Sequence, residues 1–187
     1  MTRLCTTGIL TSLILAIAVA APGEEATNPL NKNKTDATTT ATPYTAKKAF
    51  DKEVKATTKG GATTPSGWLD DFSLAKDLAK KYSRTVLVLI TESEANEAST
   101  KLWAEVLNKR EFKKFAGTEL VLLYVDNTKT KLSEAQAAKN ATVVKELAPA
   151  STSPSTILVS PDGKTIGSIS GFQTNYTGLV KGFVEKK

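Results

Sequence analysis

The stretch Thr-Val-Leu-Val-Leu-Ile at residues 85–90 decides the fold of this chain. It is apolar after its first residue and carries β-branched side chains at alternate positions, a pattern that predicts a strand buried on both faces. Leu-Val-Leu-Leu-Tyr-Val at residues 120–125 predicts a second strand of the same kind. Because such strands occur in parallel sheets with helices above and below, we expect a domain of the α/β class.

Helical periodicity surrounds these two strands. Apolar residues at helical spacing predict helices near residues 72–82, 93–107, 110–116, 133–147 and 176–184. Thr156–Val159 and Thr165–Ile169 are expected to form an antiparallel hairpin, since the turn Pro161–Lys164 between them contains an Asp-Gly pair. Residues 67–187 therefore form one α/β domain, in which a central mixed sheet is flanked by helices.

Residues 1–21 have the pattern of a signal peptide. Arg3 supplies a positive charge, an apolar run covers residues 8–21, and Ala18 and Ala20 give the small-x-small pattern of a cleavage site. The run is shorter than the about 20 residues that span a membrane. We therefore expect cleavage and export to the periplasm or the extracellular space, with no stable membrane span afterwards. Retention of this segment as a membrane anchor is the alternative.

Residues 22–66 differ in composition from the rest of the chain. They are rich in Thr, Ala and Lys and carry few sizeable apolar side chains. Such a segment buries too little apolar surface to offset the entropy lost on ordering, so we predict a disordered linker. Phe50 and Val54 lie four residues apart, which leaves a short helix near Tyr44–Lys55 as an alternative for that part.

Cysteine and histidine usage excludes several kinds of chemistry. The 187 residues include one cysteine, Cys5, and no histidine. Cleavage of the leader removes Cys5, so the mature chain can form no disulfide and offers no thiol or imidazole to a metal or a haem. We therefore expect no cofactor, no metal, and no Ser-His-Asp or Cys-His catalytic centre.

The net charge of +6 does not indicate nucleic-acid binding. Most of the cations are lysines spread along the chain, and Arg84 and Arg110 are the arginines that follow the leader. The sequence lacks the clustered arginines that bind phosphates and the sets of aromatic side chains that stack on bases. We expect a protein or peptide partner instead, whose identity the sequence does not give.

Several short motifs in residues 68–187 match one family in register. They are Thr91, Ser93, Lys101–Leu102, Glu105–Val106, Glu111–Phe112, Phe115–Ala116, Val125–Asp126, Pro154 and Asp162–Lys164. With these motifs the chain resembles exported bacterial thioredoxin-like domains. The resemblance implies a thioredoxin-like fold, preceded here by the signal peptide and the linker, with a cis proline at Pro154.

The chain departs from that family at the redox motif. Asn96, Glu97, Ala98 and Ser99 stand where the family carries Cys-x-x-Cys, and Leu89 stands near the buried strand acid of many thioredoxins. Thiol–disulfide exchange needs a thiolate, which neither asparagine nor serine provides. The resemblance therefore implies a degenerate member that is not an enzyme, and we predict no catalytic residue.

Two hypotheses about function follow. The first is a redox-inactive module that binds a protein or peptide partner. In redox-active relatives the cis-proline loop contacts an extended peptide substrate, so Ser153, Pro154 and Ser155 are the candidate groove. The second is a residual non-thiol enzyme or a cation-binding domain, centred on the degenerate motif loop with its Ser99 hydroxyl.

The second hypothesis also draws on three carboxylates, those of Glu92, Glu94 and Glu97. Hard cations prefer oxygen ligands, so the three side chains could hold one weakly. A simpler interpretation is helix capping, because Thr91 and Glu94 fit a capping box. Capping is the interpretation that we favour.

Overall fold

The computed structural model describes residues 43–57, 64–92, 96–128, 132–147 and 152–186, and these segments contain six α-helices, one π-helical turn and four strands. The elements are α1 (Pro43–Thr57), α2 (Phe72–Tyr82), β1 (Thr85–Thr91), α3 (Glu97–Leu102) continued by a π-helical turn (Trp103–Leu107), α4 (Arg110–Glu119), β2 (Leu120–Asp126), α5 (Glu134–Leu147), β3 (Ser155–Val159), β4 (Thr165–Ser170) and α6 (Tyr176–Val184). The helices and strands predicted from residue 72 onward are confirmed in type and order.

The four strands form one mixed sheet in the order β2-β1-β3-β4. β1 runs parallel to β2, with Thr85 opposite Leu120, and antiparallel to β3, with Leu87 opposite Leu158. β3 and β4 form the predicted hairpin, whose turn is closed by a hydrogen bond from Gly163 N to Ser160 O (2.9 Å). Gly163 has φ +86°, a conformation that glycine adopts without strain.

β1 is buried along its whole length, as its apolar sequence predicts. Alternate side chains enter two separate apolar clusters, because successive residues of a strand point to opposite faces. Val86, Val88 and Ile90 pack in the cluster that contains α2. Leu87 and Leu89 pack in the cluster that contains residues of α4 and α6. The sheet is therefore covered by helices on both faces.

Helix α1 corrects the predicted extent of the linker. Residues 22–66 were expected to be disordered, with a short helix as the alternative for part of them, and Pro43–Thr57 is helical. Its Phe50 side chain is 6% exposed and meets the Tyr82 ring edge-on, with centroids 5.2 Å apart. The alternative of a short helix is therefore confirmed for this part, and the preferred prediction of disorder is wrong there. The partners of Phe50 are Tyr82 on α2 and Arg84 just before β1, which the composition of residues 22–66 does not reveal.

Arg84 lies beside α1 and holds it against the domain. Its guanidinium carbon is 3.6 Å from the centre of the Phe50 ring, within the range of a cation–π contact. Nη1 also donates to the carbonyl oxygen of Gly117 at 3.1 Å. Burial lowers the pKa of this guanidinium, and the negative charges of Asp51 and Glu119 oppose that effect. Arg84 is 6% exposed, so its guanidinium is buried in the domain and is not part of the surface charge.

The predicted leader, residues 1–21, and the linker residues 22–42 and 58–63 lie outside the described residues. Within the described part of the chain, none of the helices has the length and apolar character that a membrane span requires.

Candidate functional site

The predicted motif residues lie at the start of α3. Glu97 is the first residue of this helix and Asn96 is its N-cap, with backbone in the extended region. The Asn96 Oδ1 atom accepts a hydrogen bond from the backbone N–H of Ser99 at 3.1 Å. The site at which the resemblance places a redox cysteine is therefore filled by a capping amide.

The cis-proline loop lies against this helix start. The Ser153–Pro154 peptide bond is cis, as the resemblance implied. Asn96 Nδ2 donates to the carbonyl oxygen of Ser153 at 3.1 Å, and the backbone N–H of Glu92 donates to Ser153 Oγ at 3.1 Å. On the other side, Gly171 N donates to the carbonyl oxygen of Pro154 at 2.8 Å. The structure thus brings together the motif and the candidate groove.

Two buried serines belong to this region. Ser99, on α3, and Ser155, the first residue of β3, are both buried, and neither Oγ atom has a hydrogen-bond partner among the described residues. A serine hydroxyl needs an adjacent base to act as a nucleophile. The chain contains no histidine that could be this base.

The carboxylates near the loop do not form one group among the described residues. Glu97 is exposed and pairs with Lys101, whose Nζ lies 2.8 Å from Oε1. This hydrogen bond to Lys101 lowers the pKa of Glu97. Glu94 lies outside the described residues. In the segments that are described, no set of three Asp, Glu, His or Cys side chains is placed to hold a metal ion.

The capping prediction needs a correction. Thr91 was expected to cap the helix, but α3 begins at Glu97, so the cap is Asn96. The Thr91 hydroxyl lies instead 2.9 Å from the hydroxyl of Tyr124, and either atom can be the donor. The reason is that β1 extends through Thr91, which places its side chain on the sheet.

A buried pair of hydroxyl groups, those of Thr156 and Tyr176, lies next to the cis-proline loop, and the sequence analysis did not predict it. Leu89 is fully buried, and its partner across the sheet is Thr156, two residues after the cis proline. The Thr156 hydroxyl lies 2.7 Å from the hydroxyl of Tyr176, the first residue of α6. Burial raises the pKa of Tyr176, so this phenol stays protonated. The pair fixes the start of β3 against α6.

Comparisons with known proteins identify the fold. Neither a protein-family model nor a curated protein sequence matches this chain. The solved structure of the oxidoreductase DsbH is similar with a TM-score of 0.57 and 19% identity, over 71% of this chain and 99% of that chain. A thioredoxin from Thermus thermophilus gives 0.46 and 14%, over 62% of this chain and 82% of its own.

The exposed lipoprotein thioredoxin Etrx1 from Streptococcus pneumoniae gives a TM-score of 0.39 and 18% identity, over 56% of this chain and 86% of its own. The similarity to DsbH and the order of the strands in the sheet indicate the same fold. The chain has a thioredoxin-like fold.

Proposed function

We propose that this chain is a thioredoxin-like protein that performs no thiol–disulfide exchange and binds a protein or peptide partner in the periplasm or outside the cell. The observation that carries the proposal is the position of Asn96. Its side chain caps α3 and donates to the carbonyl oxygen of Ser153. The resemblance to thioredoxin-like domains assigns this neutral amide to the position of the attacking thiolate.

The chemistry of this position supports the redox part of the proposal. A helix N-terminus lowers the pKa of a cysteine and makes it a thiolate, the species that attacks a disulfide. An amide has no proton to lose in this range and no sulfur to oxidise. Ser99, at the second motif position, keeps an alcohol that is too weak an acid to substitute for a thiol.

The cis-proline loop supports the binding part. Three hydrogen bonds hold it, from Glu92 N, Asn96 Nδ2 and Gly171 N, and these maintain the shape of the loop although the cysteines are gone. The same loop contacts extended peptides in redox-active relatives. A fold does not determine a function, so the proposal depends on this local geometry.

Export is supported by the sequence pattern of residues 1–21, with its basic start, apolar run and Ala-Val-Ala end. An exported domain that lacks disulfides depends on its core for stability. The buried β1 strand and the two apolar clusters around it supply such a core.

An insulin-reduction assay with dithiothreitol tests the redox part. The full chain is compared with its Cys5→Ser variant, which contains no thiol at all. With either protein, insulin should be reduced no faster than by dithiothreitol alone. Reduction above that background by the Cys5→Ser chain would refute the redox part of the proposal.

Affinity capture from envelope and secreted extracts tests the binding part. The bait is the full chain, and the variants are Pro154→Ala and Pro161→Ala, the second being a proline in the distant hairpin turn. A partner retained by the wild type and Pro161→Ala but lost with Pro154→Ala supports binding at the loop. Failure of every bait to retain a partner contradicts the binding role.

A further inference from the structure

Helix α1 rests on a small surface at the end of α2, formed by Lys81, Tyr82 and Arg84. We call this surface the α1 dock. The Phe50 ring lies edge-on to Tyr82 and against the Arg84 guanidinium. Glu53, on the same face of α1, accepts hydrogen bonds from Lys81 Nζ at 2.6 Å and from Tyr82 Oη at 2.7 Å. The α1 dock therefore binds one aromatic ring and, three positions later, one carboxylate.

Few contacts attach α1 to the dock. Among residues 46–56, Phe50 is the one buried side chain, and the others are half-buried or exposed. A helix of 15 residues is marginal in water by itself, so α1 depends on these contacts. The ion pair of Glu53 with Lys81 is accessible to solvent, where such pairs contribute little. Docking of α1 therefore depends mainly on Phe50.

The α1 dock is held in place by contacts that do not involve α1. Arg84 Nη1 donates to the carbonyl oxygen of Gly117 on α4, which fixes the guanidinium from the domain side. The backbone N–H of Arg84 donates to Ala79 O at 2.9 Å and so fixes the connection from α2 to β1. Lys81 and Tyr82 belong to the last turn of α2, whose opposite face is buried. The dock is therefore preorganised for a helix, whichever chain supplies it.

The charges of the α1 dock and of α1 are complementary. The hydrogen bond from Lys81 lowers the pKa of Glu53. The negative charge of Asp51 favours the charged form of Arg84 and opposes the effect of burial. Without α1 the dock presents two cationic side chains and the Tyr82 ring. Arginine and tyrosine are enriched among the residues that dominate protein interfaces.

We propose that the α1 dock is a binding surface for a helix of a partner protein, and that α1 covers it in the free chain as an autoinhibitory helix. The partner helix carries an aromatic residue and, three positions later, a carboxylate, because this is the pattern that α1 itself places on the dock. Recognition of an amphipathic helix through anchors at such spacing is a general mode of binding. The inference goes beyond the proposed function, since the residues of the dock are not those of the cis-proline loop.

Fluorescence anisotropy of a labelled peptide tests the α1 dock. The probe has the sequence of residues 43–57, and it is titrated with the full chain carrying Phe50→Ala, whose own α1 does not compete. Binding should be saturable. The wild-type chain should bind the probe at least about tenfold more weakly, because its tethered α1 occupies the dock. Circular dichroism and hydrogen exchange establish that the Phe50→Ala chain keeps its sheet and has released α1.

Control peptides define the pattern that the α1 dock accepts. The peptide with Phe50→Ala should bind at least about tenfold more weakly, as for the loss of a central anchor. The peptide with Lys52→Ala should bind as the probe does, because Lys52 is exposed. An alanine- and lysine-based helix with one phenylalanine and a glutamate three positions later should also bind. The same helix with the glutamate two positions later should bind more weakly, since residues two apart do not share a helix face.

A charge exchange locates the binding without disturbing the core. Lys81→Glu, added to the Phe50→Ala chain, should weaken probe binding about fivefold. A peptide with Glu53→Lys should bind this variant more tightly than the probe does. The Lys81 side chain is 57% exposed, so its replacement leaves the fold intact. Lys80→Glu, at the exposed neighbouring position, is the matched control and should change probe binding less than about twofold, because solvent screens that charge.

Four results would overturn this inference. They are the absence of saturable binding to a folded Phe50→Ala chain that has released α1, equal binding of the probe by the wild type, equal binding of the peptide with Phe50→Ala, and a wild-type mass that doubles with concentration in the absence of peptide. The last result assigns the α1 dock to α1 of a second copy of the chain. The proposed function is judged separately, since Pro154→Ala should leave probe binding unchanged even where it abolishes partner capture.

Discussion

Asn96 and Ser153, which are 57 residues apart in sequence, are joined by a 3.1 Å hydrogen bond from the Asn96 side-chain amide to the Ser153 carbonyl oxygen. The same side chain accepts from Ser99 N and so caps α3. One residue therefore connects the start of the helix to the residue before the cis proline. Asn96 therefore has a structural role in joining α3 to the loop before β3.

Asn96→Ala should lower the free energy of unfolding by about 1–2 kcal/mol, since it removes both the cap and the contact to Ser153. Asn96→Asp keeps an oxygen for the cap but loses the donor, so it should cost about 1 kcal/mol. Urea denaturation at neutral pH measures both values. Wild-type stability in Asn96→Asp would show that the contact to Ser153 contributes nothing.

Phe50→Ala should detach α1 while the sheet stays folded. Removing a buried phenylalanine costs about 3 kcal/mol or more, which corresponds to an increase of about two orders of magnitude in amide exchange along α1. The Arg84 contact is lost at the same time. Hydrogen exchange measured by mass spectrometry checks this, with the exposed Lys52→Ala on the same helix as control. Unchanged exchange in α1 of Phe50→Ala would contradict the assignment of α1 to the domain.

Asp71 should account for part of the loss in the free energy of unfolding of the domain at low pH. Its carboxylate caps α2 by accepting from Leu74 N at 3.2 Å. This bond and the one from Lys139 hold the pKa of Asp71 below its usual value. A depressed pKa means that the stabilisation is present above about pH 4, the ordinary value, and is lost as the pH falls through the lower folded value.

The variant Asp71→Asn keeps a capping oxygen and cannot titrate. At neutral pH it should cost no more than about 1 kcal/mol, because the Lys139 partner is exposed. Below pH 4 its unfolding free energy should fall less steeply than that of the wild type, as followed by urea denaturation from pH 7 to pH 2.5. Parallel profiles for the two proteins would exclude Asp71 as a source of the acid sensitivity.

Tyr176 and Thr156 should be energetically coupled. Their hydroxyls lie 2.7 Å apart in the interior, so Tyr176→Phe or Thr156→Val alone leaves one buried hydroxyl unpaired, at a cost of about 1–3 kcal/mol. The double variant removes both hydroxyls and should cost less than the sum of the two, with a coupling energy of about 1 kcal/mol. Chemical denaturation of the three variants gives the cycle, and additive costs would show that the pair is not a unit.

The sequence predicted the sheet well, because its signals are local. β1 and β2 are apolar runs that fit a strand buried on both faces, and the Asp-Gly turn specifies the β3–β4 hairpin. The cis bond at Pro154 followed from resemblance alone. These features depend on short stretches of chain, which periodicity and turn chemistry describe directly.

The missed features depend on contacts between distant segments. α1 was expected only as an alternative to disorder, because the composition around Phe50 resembles a linker, and it is held by the contacts of Phe50 with Tyr82 and Arg84. The cap of α3 was assigned to Thr91 because the helix start was placed too early. The contact of Asn96 with Ser153 has no sequence signal, since it arises only when the loop before β3 folds back on the helix.

The most direct measurement of the central claim is insulin reduction by the Cys5→Ser chain, in which residues 96 and 99 are wild type, and by its Asn96→Cys, Ser99→Cys and double variants. The Cys5→Ser chain and both single variants should reduce insulin no faster than dithiothreitol alone. The double variant, which restores two thiols at the start of α3, should exceed that rate. Insulin reduction by the Cys5→Ser chain at the rate of the double variant would contradict the claim that a chain with Asn96 and Ser99 at these positions has no redox activity.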